Sequence, residues 1–143
     1  MYYVVFGIVI LILVFLIIEV NFYNQFQMAR IRISEAENNI DILLQKKFQL
    51  LERVVKIMED ADARYQEEDL STKLVKLKNK KINNFELNNE LEKILAQYRG
   101  LLDLDSKISE INGIVNLNFE IIYVDNELMA AKKYYNEHIV SYN

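Results

Sequence analysis

The chain has 143 residues, with no Cys, no Pro, no Trp and three glycines. This excludes a disulfide framework and thiol chemistry, and so few breakers speak for long helices over a β-protein with many turns. A formal net charge of −4, from 17 basic and 21 acidic side chains, argues against nucleic acid as the main partner.

The first element is the run Tyr2 to Ile18, which carries no charge; 14 of its 17 residues are Val, Ile, Leu or Phe. At about 1.5 Å per residue it spans roughly 26 Å, close to the ~30 Å hydrocarbon core of a bilayer. Each of the 14 contributes about −0.3 to −0.6 kcal/mol to insertion at a helix centre, so the sum favours membrane by several kcal/mol. A signal peptide would need a basic flank and a small-residue cleavage site. No Lys or Arg precedes Arg30, and Glu19-Val20-Asn21-Phe22 offers no small-residue pair. A buried core helix of this kind needs a larger protein around it. The expectation is therefore a transmembrane anchor over residues 1–20, with the lipid bilayer as its partner through Tyr2 to Ile18. Arg30, Arg32, Lys46 and Lys47 lie on its C-terminal side, which favours that side being cytoplasmic and the N-terminus outside.

The remaining 123 residues, 21–143, carry 17 basic and 20 acidic side chains and suffice for one helical domain. From Ile8 to Arg99 there is neither Gly nor Pro, so the anchor is expected to run unbroken into this domain. Apolar residues at Phe22, Phe26, Ala29, Ile33, Ala36, Ile40, Leu44, Phe48, Leu51, Val55 and Met58 form one stripe. A second row joins it at Leu50, Val54, Ile57 and Ala61. The steps of four from Ala36 to Phe48 depart from a strict seven-residue repeat and favour a bundle helix over a regular coiled coil.

The stripe fades at Tyr65, and Gln66-Glu67-Glu68-Asp69 reads as a turn. A short helix is expected over Thr72–Ile82, with Leu74, Val75 and Leu77 inward. Asn83, with Glu86 three residues on, resembles a capping box that starts a third helix from Asn84 to about Arg99, closed by Gly100. Caps at Asp103, Asp105 or Ser106 would open the last helix. Its expected inner positions are Ile108, Ile111, Val115, Phe119, Ile122, Met129, Tyr134 and Ile139, with Gly113 weakening its beginning. Four helices going out and back return the C-terminus toward the membrane. The predicted fold is all-α: an N-terminal transmembrane helix continuing into an elongated antiparallel four-helix bundle.

Catalytic sets are not evident. His138 is the one histidine, and position 135 is a tyrosine, so the Glu-x-x-His pairs of di-iron bundles cannot form. None of the five serines sits in a glycine-flanked elbow, and no glycine-rich phosphate loop is present. No enzyme activity, cofactor or metal is expected. Two charge blocks adjoin: Glu59–Asp69 carries net −5, and Lys73, Lys76, Lys78, Lys80 and Lys81 carry net +5. Mutual compensation is one reading, and a docking surface for a partner is the sharper one. Tyr135-Asn136 and Tyr142-Asn143 repeat at seven residues and share a helix face, while Tyr23-Asn24 follows the anchor. These six residues are expected to form a packing layer near the membrane, with the tyrosines beside Phe22, Phe26 and Ala29.

On these residues the chain resembles the LemA family of bacterial membrane-anchored proteins. The matching pattern is one spanning helix followed by Tyr23-Asn24, Glu35-Ala36 and Ile40-Asp41, then Leu44, Lys46, Lys47, Phe48, Leu50 and Val55. The family's end signature falls on Asp125-Asn126, Ala131-Lys132, Tyr135-Asn136 and Tyr142-Asn143. Departures are Glu52-Arg53 where the family usually has Pro-Asn, Glu37 where it has Trp, and Asp105-Ser106 in place of an aromatic-Pro. Family members also continue beyond the last Tyr-Asn, where this sequence ends at Asn143. The resemblance implies an antiparallel four-helix bundle on one spanning helix, with a short N-terminus outside and the bundle in the cytoplasm. The expected function is a non-enzymatic scaffold that presents its bundle to an unknown membrane or cytoplasmic protein. A self-oligomerising, membrane-organising protein is the alternative. A pilus- or secretion-type subunit is disfavoured, because no Gly- and Pro-rich β part is present.

Overall fold

The computed structural model describes residues 2–60, 64–104, 108 and 110–142, and the side chains of all of these except 64–69, 141 and 142. Four helices make up the described chain: α1 (Tyr2–Asp60), α2 (Arg64–Lys78), α3 (Asn84–Leu104) and α4 (Ile114–Tyr142). No strand occurs among the described residues, so the protein is all-α. The 59 residues of α1 form one helix about 88 Å long at 1.5 Å per residue.

Several boundaries differ from expectation. Helix α1 is described as far as Asp60, and residues 66–69 belong to α2 instead of a turn. Gln and Glu are good helix formers, and Leu70, Leu74 and Leu77 supply a buried face at steps of four and three. Val75, expected inward, is exposed. The start of α3 is as read: the Asn83 Oδ1 accepts a 2.9 Å hydrogen bond from the Glu86 N–H. Its end is not, because α3 runs through Gly100 to Leu104. A helical glycine costs about 1 kcal/mol. Burial of Tyr98 before it, and of Leu101 and Leu102 partly after it, outweighs that. Asp103 lies inside α3, and Asp105, Ser106 and Ala61 fall outside the described residues.

The largest correction concerns α4. Gly113 has φ +93°, a left-handed conformation that ends one helical phase and begins another. The phase carried by Ile108, which is buried, and Ile111, which is partly so, therefore does not continue. The buried row is Ile114, Leu117, Ile121, Val124, Leu128 and Ala131. Val115, Phe119, Ile122 and Met129, expected inside, are 50, 68, 50 and 62% exposed, and Tyr134 is exposed as well.

The chain forms two compact units: Met1–Glu37 with Lys133–Asn143, and Asn38–Lys132. In the first, every residue from 2 to 26 is exposed, Ala29 and Ile33 are partly covered, and Ala36 is buried. The apolar start of α1 is long enough to cross a membrane by length and composition. In the second unit, side chains from all four helices meet in one core. Leu44, Leu51 and Met58 of α1 join Leu70 and Leu74 of α2, Leu91 and Tyr98 of α3, and Leu117 and Leu128 of α4.

Candidate functional site

The second unit contains a buried charge. Lys47 falls on the inner row of α1, where Leu44, Lys47, Leu51, Val54 and Met58 alternate steps of three and four. Its side chain is 0% exposed. Its ammonium donates to Glu92 Oε1 of α3 at 2.8 Å and lies 2.7 Å from Asp125 Oδ1 of α4. The Asp125 contact is Coulombic, since that buried oxygen lacks hydrogen-bond geometry. Arg99 Nη2 approaches Asp125 Oδ2 at 3.3 Å from the surface. Beside them Lys132 donates to Asn88 Oδ1 at 2.9 Å. Burial holds the Lys132 pKa below its ordinary value and Lys47 adds to this, while Glu92 and Asp125 oppose it.

A fully buried ammonium is expensive unless compensated. Here two carboxylates from two other helices compensate it, so α1, α3 and α4 are tied at one level. Such a group is placed to fix helix register: the Lys47 ammonium is buried, while Glu92 and Asp125 also line a surface depression with Arg99 and Lys132. Near it, the Tyr98 hydroxyl donates to Asn118 Oδ1 at 2.7 Å. Burial pushes the Tyr98 pKa up to about 12. Sequence reasoning named Lys47 only as part of a basic pair. The signal that could have found it is its place on the apolar row, seven residues before Val54 and seven after Ile40.

The expected lysine surface is divided by the fold. Lys73, Lys76 and Lys80 line a cavity of about 550 Å³ between α2 and α3, over Leu77 and Ile94. Lys93 and Glu90 of α3 join them and were missed in the sequence. Lys73 donates to Gln97 Oε1 at 2.8 Å across the cavity. Lys93 pairs with Glu90 at 2.7 Å and holds that carboxyl below the usual carboxylate range. Lys78 leaves the group and pairs with Glu52 of α1 at 2.9 Å, and Lys81 is exposed. Glu59 and Asp60 of the acidic block are exposed, and the side chains of 61–69 lie outside the described residues.

In the first unit, the Tyr135 hydroxyl donates to Glu37 Oε1 at 3.0 Å, and that bond, with partial burial, raises the Tyr135 pKa. Tyr23 is exposed, and its hydroxyl accepts from Gln27 Nε2 at 3.0 Å. Asn24 lines a shallow depression with Asn21, Gln25, Met28, Arg32 and His138. The His138 ring meets Tyr134 edge to face at 4.2 Å. Asn136 is exposed, the Tyr142 side chain and Asn143 lie outside the described residues, and Phe22 and Phe26 are exposed. Among the described residues, no group of three or more His, Asp or Glu is placed to hold a metal ion. No protein-family model matches this chain, and no curated protein matches it either.

Proposed function

We propose that this chain is a single-pass protein of the bacterial membrane and a LemA-like interaction module without enzymatic activity. The observation that carries the reading is α1 itself. One unbroken helix begins with 25 exposed residues, apolar over Tyr2 to Ile18, and ends with one face buried in a four-helix core. Lipid is the solvent that suits the first part, and packing suits the second.

An antiparallel bundle fits the contacts of the second unit. Lys47 meets Asp125, Arg53 meets Glu120 at 3.6 Å, and Ile57 adjoins Gly113. Partner numbers fall on one side as they rise on the other, as they do between helices running in opposite directions. The charges at Lys47 are occupied with one another, which favours a structural role over chemistry. The cavity of Lys73, Lys76, Lys80 and Lys93 is the surface offered to a membrane or cytoplasmic protein. The bundle lies in the cytoplasm, following the basic residues after the anchor.

Two measurements test this reading. The chain should resist alkaline extraction from membranes, and recovery in the soluble fraction would refute the anchor. A Ser71→Cys variant should react with an impermeant thiol reagent only after lysis; labelling in intact cells would refute the cytoplasmic bundle. Affinity purification from detergent extracts would then identify the partner.

A further inference from the structure

The cavity between α2 and α3, about 550 Å³, falls within the ~300–1,000 Å³ range of ligand clefts. Its floor is apolar, made by Leu77 of α2 with Ile94 and Ala96 of α3. On one side Lys73 and Lys76 lie a turn apart on α2, and Lys80 follows just past its end. On the other side stands Lys93 of α3. Four ammoniums therefore face one carboxylate, Glu90, which pairs with Lys93 at 2.7 Å and also lies in the field of Lys80. Lys73 donates to Gln97, and Asp69 stands four residues before it in the sequence. The excess positive charge thus centres on Lys76 and Lys80, both exposed.

We propose that this cleft binds an acidic amphipathic helix of a partner protein, with its apolar side chains on the floor and its carboxylates on the lysines. The inference deepens the interaction-module reading above and rests on it. Charge complementarity selects an acidic occupant, and the floor selects one that is not charged throughout, as a polyphosphate is. The lysine stems widen the apolar surface while their ammoniums remain in water. A lipid headgroup gathers its charge on one phosphate, whereas these cations stand apart on both sides of the cleft. Arginine, whose fork suits phosphate, is absent from the lining residues. A helix with acids at steps of three and four carries separate carboxylates along the edge of an apolar strip, which is the pattern that the cleft complements.

The test uses the full chain in nanodiscs of neutral lipid, with empty discs as the blank. The probe is a fluorescent peptide of about 14 residues, with Leu at helical steps of three and four and Glu beside them. Two further peptides carry Ser for Leu or Lys for Glu. Anisotropy should show the Leu/Glu peptide binding at least about tenfold more tightly than either, and less tightly as salt rises. Lys76→Glu with Lys80→Glu, and separately Ala96→Glu, should each weaken it about tenfold with helicity unchanged. Exposed Lys56→Glu with Lys133→Glu, outside the cavity, should change it less than about twofold. Equal affinity for the Ser peptide, no binding of any peptide, or an equal loss in the outside variant would overturn the cleft. So would displacement of the probe by pyrophosphate or short-chain phosphatidylglycerol at lower concentration than by unlabelled peptide, which marks a phosphate or headgroup site. A native partner retained equally by the parent and the Lys76→Glu, Lys80→Glu chain would overturn the cleft and leave the interaction module standing. The expected peptide profile in a chain recovered from the soluble fraction would uphold the cleft and overturn the anchor.

Discussion

The two halves of α1 are both rich in apolar residues, yet they use them in opposite ways. Residues 2–26 are exposed around the whole helix, and the run from Tyr2 to Ile18 holds no charge on any face. Residues 44–58 bury one side and leave charged side chains on the other, and the buried side itself admits Lys47. On the proposed anchor, the difference is one of solvent. Hydrocarbon cannot compensate a charge, so a lipid-facing stretch excludes charges on all sides. A protein core can compensate one, provided that neighbouring helices bring carboxylates to it.

The largest effect should come from removing that compensation. Replacing Glu92 by Gln and Asp125 by Asn leaves the Lys47 ammonium buried between neutral amides. Breaking such a pair costs about 3–5 kcal/mol, and the thermal midpoint of the full chain in detergent should fall by more than about 10 °C. Adding Lys47→Met to the same chain should restore most of the loss. If the double variant melts like the parent, the charge is not what distinguishes the packed half. The matching test in the other half is Leu11→Arg. An arginine at the helix centre disfavours insertion by about 2.5–3.5 kcal/mol, so a glycosylation-site or protease-protection assay should show reduced insertion with an unchanged melting profile.

Gly113→Ala probes the turn against the packed half. Its φ of +93° strains any L side chain, and the new Cβ would lie 3.3 Å from Ile57 Cδ1 of α1. A loss of about 1–3 kcal/mol is expected in denaturant unfolding. Tyr98 gives a smaller, pH-dependent effect. An unfolded tyrosine titrates near pH 10 and the folded one at about 12, so the native state holds its proton longer. Stability should be flat below about pH 10 and fall as pH rises from 10 toward 12, with Tyr98→Phe reducing that slope. An equal slope in the variant would assign the decline to other groups. The smallest change belongs to Lys78→Ala. Its pair with Glu52 sits on the solvent side of the packed half and should contribute roughly 0–1 kcal/mol, less at high salt.

Composition and spacing made much of this legible. The apolar run, the missing breakers, the Asn83 cap and most of the inner row of α1 are local signals, readable because a helix repeats every 3.6 residues. Local signals failed where two answers were locally equal. The acidic stretch 66–69 could be turn or helix, and burial of Leu70 and Leu74 decided for helix. Gly100 could end α3 or lie within it, and Tyr98, Leu101 and Leu102 decided for the interior. In α4 two apolar rows share one helix, and the phase reset at Gly113 determined which of them faces the core.

The candidate sites divide along the same line. The sequence alone determined that the N-terminal helix is long and apolar enough to cross a membrane, and that five lysines cluster before the third helix, because both follow from neighbours in the chain. Only the tertiary structure decided which charges meet. It set Lys47 between Glu92 and Asp125, 45 and 78 positions away, sent Lys78 to Glu52, and added Lys93 to the cavity of Lys73, Lys76 and Lys80. Periodicity fixes which residues share a face of one helix. Which face meets which depends on packing among helices remote in sequence, and no local pattern carries that information.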